Sequence, residues 1–276
     1  IDKNKLQSYK KAGVNRLSIG LQSTNNKELK LLGRSHSYEQ FLENYYLARR
    51  LGFTNINVDL ISGLPGQSLQ DWEDTLEKIL KLSPEHISAY SLIIEENTPF
   101  YKRYSNKDLD EEVDRLIYSR TKELLEENKY SRYEISNYCK EGYESIHNIF
   151  YWTGTEYLGI GLGSSSFIQD KRFHNERDLG IYIKNSHNPY LIRKNEEKLS
   201  QKDQMEEFIF LGLRLVSGIK KSDFKQKFGM DIEKLYKKVL DQSYKEGVLE
   251  EKDGYIYLTD YGMDVSNIVM ARFLLD

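Results

Sequence analysis

The apolar positions of the first hundred residues switch between two periods. Leu17, Ile19 and Leu21 recur at every second residue within Arg16–Gln22, which predicts a strand. Phe41, Tyr45, Ala48 and Leu51 recur at helical spacing across Tyr38–Leu51. Alternation returns over Thr54–Ile61 through Ile56, Val58 and Leu60. A second helix opens at Ser68, with Asp71 as its capping-box-like partner and Trp72, Leu76 and Ile79 on the buried face. Ile87–Ile94 reads as a third strand. Strands and helices that alternate over short connections predict parallel βα units. Such units bind ligands where the loops converge, at the C-terminal ends of the strands. Three strands cannot close a barrel, so either more strands precede Ile1 or the sheet is open.

Beyond Pro99 the pattern changes. Asp110–Asn128 predicts an amphipathic helix with Val113, Leu116, Ile117, Leu124 and Leu125 as its apolar stripe. Tyr130–Asn137 reads as a short strand, and Tyr143–Ile168 is aromatic and glycine-rich. The polar stretch Lys184–Gln201, interrupted by Pro189, is expected to be a linker. The last segment predicts helices over Met205–Val216, Lys221–Phe228 and Ile232–Glu246, the third ended by Gly247. A hairpin follows, Val248–Glu251 with Tyr255–Leu258, turning at Asp253-Gly254. That order outlines a winged helix. The expected domains are therefore 1–100, an α+β extension over 101–190, and 200–276.

Composition narrows the chemistry. The 276 residues carry a net charge of -3 with both signs interspersed, so no general attraction to polyanions is implied. Residues 200–276 hold 12 Lys plus Arg against 14 Asp plus Glu, the wrong balance for neutralising phosphates. Lys234, Lys237, Lys238 and Lys245 are the only hint of a DNA surface, and no nucleic-acid partner is expected. No apolar run approaches the roughly 20 residues of a membrane span. A soluble, cytoplasmic protein is expected. The single cysteine, Cys139, excludes an internal disulfide framework.

Three constellations carry candidate chemistry. Gln22, Arg34 and Asp59 fall at or near strand ends, the last just before Gly63-Leu64-Pro65-Gly66. A carboxylate there can accept both hydroxyls of a ribose, and an arginine can hold a carboxylate in a bidentate fork. Gly63 and Gly66 would let a backbone approach a ligand closely. The plainer reading is that Arg34 and Asp59 pair with each other and Gln22 caps a strand. The second set is His147-Asn148-Ile149-Phe150-Tyr151-Trp152. A neutral imidazole can ligate iron, and a Tyr or Trp face can stack on a macrocycle. Here the plainer reading is a core histidine bonded to a backbone carbonyl. The third set is Gly159-Ile160-Gly161-Leu162-Gly163 followed by three serines, which fits no phosphate fingerprint and reads as a close-packed turn beside a cavity. Glu95 and Glu134 are lone strand-end acids, expected to be solvated or salt-bridged.

The chain resembles the radical S-adenosylmethionine proteins of the oxygen-independent coproporphyrinogen oxidase family. The resemblance rests on Gly13-Val14-Asn15-Arg16-Leu17-Ser18-Ile19-Gly20-Leu21-Gln22-Ser23, Leu32-Gly33-Arg34, Asn57-Val58-Asp59-Leu60-Ile61-Ser62-Gly63-Leu64-Pro65-Gly66-Gln67 and Pro84-Glu85-His86-Ile87-Ser88. Tyr133-Glu134-Ile135-Ser136-Asn137 and Tyr157-Leu158-Gly159-Ile160-Gly161 extend it, so it covers nearly the whole chain. The H-N-x-x-Y-W stretch at 147–152 is similar to that of the family's haem-chaperone branch. The implied fold is α/β, the C-terminal half of a partial parallel (β/α) barrel, then an α+β extension and a winged-helix-like domain.

The resemblance implies that Gln22, Arg34, Asp59 and Ile93 contact S-adenosylmethionine. It implies that His147, Asn148, Tyr151 and Trp152 contact haem, with His147 at the iron or a propionate, and that the glycine-rich segment closes the cavity floor. Its partners would be haem and haem-acceptor proteins. It admits a transient membrane-protein partner and leaves the oligomeric state open. The alternative within the family is an oxygen-independent coproporphyrinogen III dehydrogenase, against which H-N-x-x-Y-W argues. The family's C-x-x-x-C-x-x-C loop is missing, and one cysteine cannot supply the three thiolates of a 4Fe-4S cluster. These residues alone are expected to be inactive in reductive cleavage. Ile1 is expected to lie partway along a longer chain whose earlier part holds the cluster.

Overall fold

The computed structural model describes residues 2–98, 100–104 and 110–275. The chain divides into two compact units, 1–144 and 145–276.

The first unit begins with α1 (Lys3–Lys11), capped by Asp2, whose carboxylate accepts from Lys5 N at 2.9 Å. Strand β1 (Leu17–Gln22), helices α2 (Asn26–Leu31) and α3 (Tyr38–Arg50), and strand β2 (Ile56–Ser62) follow. Then come α4 (Leu69–Leu82), β3 (His86–Ser91), α5 (Glu111–Glu127), β4 (Ser131–Glu134) and β5 (Asn137–Cys139). The strands form one open sheet in the order β1-β2-β3-β5-β4. β1, β2 and β3 are parallel, while β5 pairs antiparallel with β3 and β4. The expected single strand over Tyr130–Asn137 is thus two short antiparallel strands.

Alternation gives this sheet two unlike faces. Leu17, Leu21, Ile56, Val58, Leu60, Ile87 and Tyr138 are buried with Phe41, Tyr45, Trp72, Leu76, Ile79 and Ile117 in one core. α4 starts where expected, since Ser68 Oγ accepts from Asp71 N (3.2 Å) and Asp71 accepts from Ser68 N (2.9 Å). Trp72 at its first turn donates to Thr121 Oγ1 of α5 (2.8 Å). Its ring alone contributes about 3 kcal/mol by burial. Leu116 departs from its predicted stripe and is 52 % exposed, because the buried line of α5 runs through Ile117, Thr121 and Leu125.

The second unit opens with α6 (Ile146–Trp152), then β6 (Ser165–Ile168), β7 (Lys171–Asn175), α7 (Leu179–Asn185), α8 (Pro189–Ile192) and β8 (Arg193–Lys198). β6, β7 and β8 form an antiparallel sheet. The stretch expected to be a linker therefore holds a helix begun by Pro189 and an edge strand. Strand β8 has no alternating apolar residues to announce it. Backbone pairing with β7 and ion pairs such as Lys171–Glu196 (2.7 Å) hold it instead.

The unit continues with α9 (Gln201–Gly212), β9 (Ile219–Lys220), α10 (Lys221–Phe228), α11 (Ile232–Leu235) and α12 (Lys237–Lys245). The hairpin β10 (Leu249–Lys252) and β11 (Tyr255–Leu258) is joined by β9, and α13 (Asp260–Asp264) and α14 (Ser266–Ala271) close the unit. This is the winged-helix outline, with Asp253 and Gly254 both at positive φ in the hairpin turn. The helix expected over Ile232–Glu246 is broken at Tyr236, which leaves helical geometry (φ -107°, ψ 21°). No helix among the described residues is long and apolar enough to cross a membrane.

Candidate functional site

Two candidate sites emerge, one in each unit. In the first, the strand ends bring Gln22, Arg34, Asp59 and Ile93 to one open cleft with Ile61, Tyr90, Ser91 and Leu92. Its volume of about 410 Å³ falls within the range of small-molecule sites. The sheet register sets this up. Gly20 lies opposite Asp59, and a bulge between Gly20 and Gln22 turns the end of β1. Gln22 sits at φ 77°, a left-handed geometry that costs a non-glycine residue about 1 kcal/mol. A Cβ on Gly20 would fall 2.6 Å from Gln22 Nε2, so the bare glycine leaves room for the amide to fold back over the strand.

Arg34 and Asp59 do not pair with each other. Asp59 Oδ2 accepts from Ser18 Oγ (2.9 Å) and Oδ1 from Asn57 Nδ2 (2.7 Å). Arg34 is exposed and has no ion-pair partner among the described residues. A free guanidinium beside an oriented carboxylate offers one group for an anion and one for hydroxyl donors. Gly63 and Gly66 do not line the cleft. Their φ values of 68° and 79° explain the glycines, and a Cβ on Gly63 would meet Asp114 Oδ1 at 2.7 Å. The loop they shape is braced to α2, where Glu28 accepts from Gln67 Nε2 (3.1 Å) and from Ser23 Oγ (2.5 Å).

Behind Asp59 runs a buried polar network built from residues of the motifs at 13–23, 57–67, 84–88 and 133–137. Asn57 Nδ2 also donates to Ser18 Oγ (2.8 Å), which commits its Oδ1 to accept from His86 Nδ1 (2.6 Å). His86 Nε2 is then left to accept from Tyr133 OH (2.9 Å). His86 is fully buried, and burial, with the charge of Arg16, pushes its pKa down to about 3. The Ser88 hydroxyl donates to Asn137 Oδ1 (2.6 Å), and Asn137 Nδ2 donates to Glu134 Oε1, which also takes Ser136 N (2.9 Å). Glu134 is thus buried rather than solvated, whereas Glu95 is exposed. The readable signal was positional: Ser18, Asn57, Asp59, His86 and Ser88 all occupy the sheet face opposite the apolar one.

The second site is α6. His147 is exposed and makes no hydrogen bond with the described residues, so it is not a core histidine. Its ring meets Tyr151, one turn on, edge to face at 4.7 Å, and Tyr151 meets Tyr157 in the same way at 4.7 Å. Tyr151 lines a cavity with Tyr157, Phe167, Arg172, Glu207 and Phe208. At about 100 Å³ it admits the edge or a substituent of a large ligand, not a whole macrocycle. Arg172 and Glu207 form a bidentate pair across it (2.7 and 3.0 Å). Asn148 lies inside α6, one turn before Trp152. Trp152 faces a different cavity, with Thr153, Phe208 and Leu215.

The glycine-rich segment lines neither cavity. It is closed on itself: Asn175 Nδ2 donates to Gly161 O (2.9 Å) and Ser164 Oγ (3.0 Å), and a Cβ on Gly159 would lie 2.1 Å from Ser165 O. Cys139 is buried, and burial first, then Glu144, pushes its thiol up to about 12. No group of three or more His, Cys, Asp or Glu able to hold a metal ion occurs among the described residues. The residues present therefore do not fit an iron–sulfur cluster.

Comparison with known proteins places this geometry. The Radical SAM superfamily profile matches residues 1–79, and the HemN C-terminal domain profile matches residues 199–265. The fold is that of the coproporphyrinogen III oxidase HemN from Escherichia coli, a radical SAM enzyme, with a TM-score of 0.83 at 21% identity over 99% of this chain and 67% of that one. Heme chaperone HemW of Lactococcus lactis is 38% identical, over 96% of this chain and 70% of its own length. Heme chaperone HemW of Bacillus subtilis is 35% identical, over 98% and 72%. The chain belongs to the HemW-like family of radical SAM proteins.

Proposed function

We propose that this chain binds haem at α6 and S-adenosylmethionine at the strand-end cleft, and passes the haem to acceptor proteins. One observation carries the reading. α6 holds His147 at the surface, edge-on to Tyr151, with both ring nitrogens free of protein partners among the described residues. An imidazole kept out of the core and out of hydrogen bonds is available to iron. The exposed Ile146 and Phe150 of the same helix add apolar surface for a flat macrocycle. The small cavity at Tyr151 favours a haem held on the surface, which suits a cargo that must leave. The Lactococcus and Bacillus relatives, both named heme chaperones, support the same reading.

In the cleft, Arg34 would hold the carboxylate of S-adenosylmethionine and Asp59 its ribose hydroxyls, with Gln22 and Ile93 flanking. S-adenosylmethionine supplies a radical only on an iron–sulfur cluster, which these residues do not fit. Their role is therefore binding and orientation.

The test is a haem titration followed by visible absorption, with this chain and its His147→Ala variant. A saturable Soret shift is expected, weakened about tenfold or more in the variant by loss of the ligand. A shift unchanged in the variant, or none in the folded chain, would overturn the reading.

A further inference from the structure

The polar face of the three parallel strands is ordered in rows. Ser18, Asn57 and His86 lie opposite one another across β1, β2 and β3, and Gly20, Asp59 and Ser88 form the next row. Side chains in adjacent rows of one sheet face are close enough to interact. Here the first row is bonded to the carboxylate of the second. Asp59 Oδ1 accepts from Asn57 Nδ2 (2.7 Å), and Oδ2 accepts from Ser18 Oγ (2.9 Å).

That carboxylate dictates the hydrogens behind it. A carboxylate only accepts, so the Asn57 atom beside it is the amide nitrogen, and the Ser18 hydroxyl hydrogen points at Asp59. Asn57 Oδ1 then faces His86 Nδ1 (2.6 Å), which carries the proton, and His86 Nε2 accepts from Tyr133 OH (2.9 Å). Ser88 Oγ lies 3.2 Å from the same Asn57 oxygen, but its one hydrogen goes to Asn137 Oδ1 at 2.6 Å. His86 is therefore the donor that keeps the Asn57 amide from turning over. A reversed amide would set an oxygen against Asp59 and draw the Ser18 hydrogen away from it.

The network leaves Asp59 with a defined remainder. A carboxylate offers about four lone-pair sites, and two are taken from behind. One remains on each oxygen of a side chain that lines the strand-end cleft. Two acceptors at a fixed spacing match two neighbouring hydroxyls, each with one hydrogen to give. Turned about its own axis, the carboxylate would meet only one of them with a straight hydrogen bond. His86 is fully buried and does not line the cleft, so its influence on a ligand passes through Asn57 and Ser18.

We infer that His86 is a positioning residue: through Asn57 and Ser18 it fixes Asp59 in the orientation that receives a vicinal diol, and so makes the cleft select nucleoside ligands with an intact ribose. The assignment rests on the strand-end reading given above and adds to it the residues that set its specificity. A network that only stabilised the sheet would affect ligands with and without the diol alike.

The experiment is calorimetric titration of the intact chain with S-adenosylmethionine and with its analogue lacking both ribose hydroxyls. The wild-type chain should prefer the diol by about ten- to hundredfold, the worth of hydrogen bonds to a charged group. His86→Leu, which removes the donor to Asn57, should bring the ratio below about threefold. His86→Asn, whose amide keeps an N–H near the Nδ1 position, should restore most of it. Ser18→Ala removes the donor to Oδ2 at an exposed position where folding is not at stake, and should lower the ratio about fivefold. Affinity for the analogue should not change in any variant, and circular dichroism establishes that each is folded. A preference for the diol that survives in Ser18→Ala or in folded His86→Leu overturns this assignment and leaves the cleft reading standing. Equal losses for both ligands also overturn it, because the network would then be structural only. Failure of the folded wild-type chain to bind either ligand overturns the cleft reading as well.

Discussion

His86 offers the sharpest test of the buried network. It is fully buried, its Nδ1–H is committed to Asn57 and its Nε2 accepts from Tyr133, so the folded chain holds it neutral down to about pH 3. In the unfolded chain the same imidazole titrates near its ordinary 6.5. The folded pKa is the lower one, so the unfolded chain binds the extra proton. The stability contributed by the neutral ring is complete above the unfolded value and is lost as pH falls from 6.5 toward 3. At about 1.4 kcal/mol per pH unit, the step from pH 7 to pH 4.5 removes about 2.5 kcal/mol through this side chain alone. The assay is urea unfolding at both pH values in a Trp152→Phe background. There Trp72, buried in the first unit's core and the one tryptophan left of two, reports that unit's unfolding. His86→Gln removes the titration. It should cost about 1–3 kcal/mol at pH 7 by disturbing the Asn57 and Tyr133 bonds. From pH 7 to 4.5 it should lose about 2.5 kcal/mol less than the parent, the carboxylates common to both cancelling out. Equal losses in the two chains would show that His86 is not held neutral, and the network as assigned would be wrong.

Arg34→Ala should weaken S-adenosylmethionine binding by about tenfold or more, the worth of a charged hydrogen bond, without changing the Trp72 unfolding midpoint. Calorimetric titration checks this, and an unchanged affinity would remove Arg34 from the site. Gly159→Ala should destabilise the second unit by about 3 kcal/mol, because its Cβ would meet the Ser165 backbone, which cannot step aside. Gly161→Ala meets open space and should lose only the cost of its positive φ, about 1 kcal/mol. Thermal melts that reverse this order would refute the packing argument.

Much of the strand-end cleft was legible because it depends on local order. Alternation in β1 and β2 and the capping box at Ser68 fix where each strand ends, and a strand end fixes where its last polar side chain stands. Gln22 and Asp59 stand in one cleft on that basis, whereas Arg34 lies beyond α2 and Ile93 was indicated by the family resemblance alone. The hairpin at Asp253-Gly254 was legible for the same reason. Three features were not. Strand β8 has six polar or charged residues in a row and is held by partners supplied from elsewhere. The break at Tyr236 is a tertiary matter, since the phenol ring is buried against Phe224 and Phe273. The Arg214 guanidinium carbon, 4.3 Å from the centre of the Trp152 ring, joins two elements whose sequences carry no sign of each other. His86 falls between these cases: its face was predictable from alternation, but its partners depended on register.

Glu28 gives the strand-end cleft a mechanical property. One carboxylate clamps the Ser23 hydroxyl just beyond β1 and the Gln67 amide at the end of the glycine loop, and it does so from α2, the helix that leads into Arg34. Three segments that would otherwise wander independently are thereby tied to a single post. A ligand entering this cleft meets walls that are already ordered, so little of its binding energy is lost in freezing them.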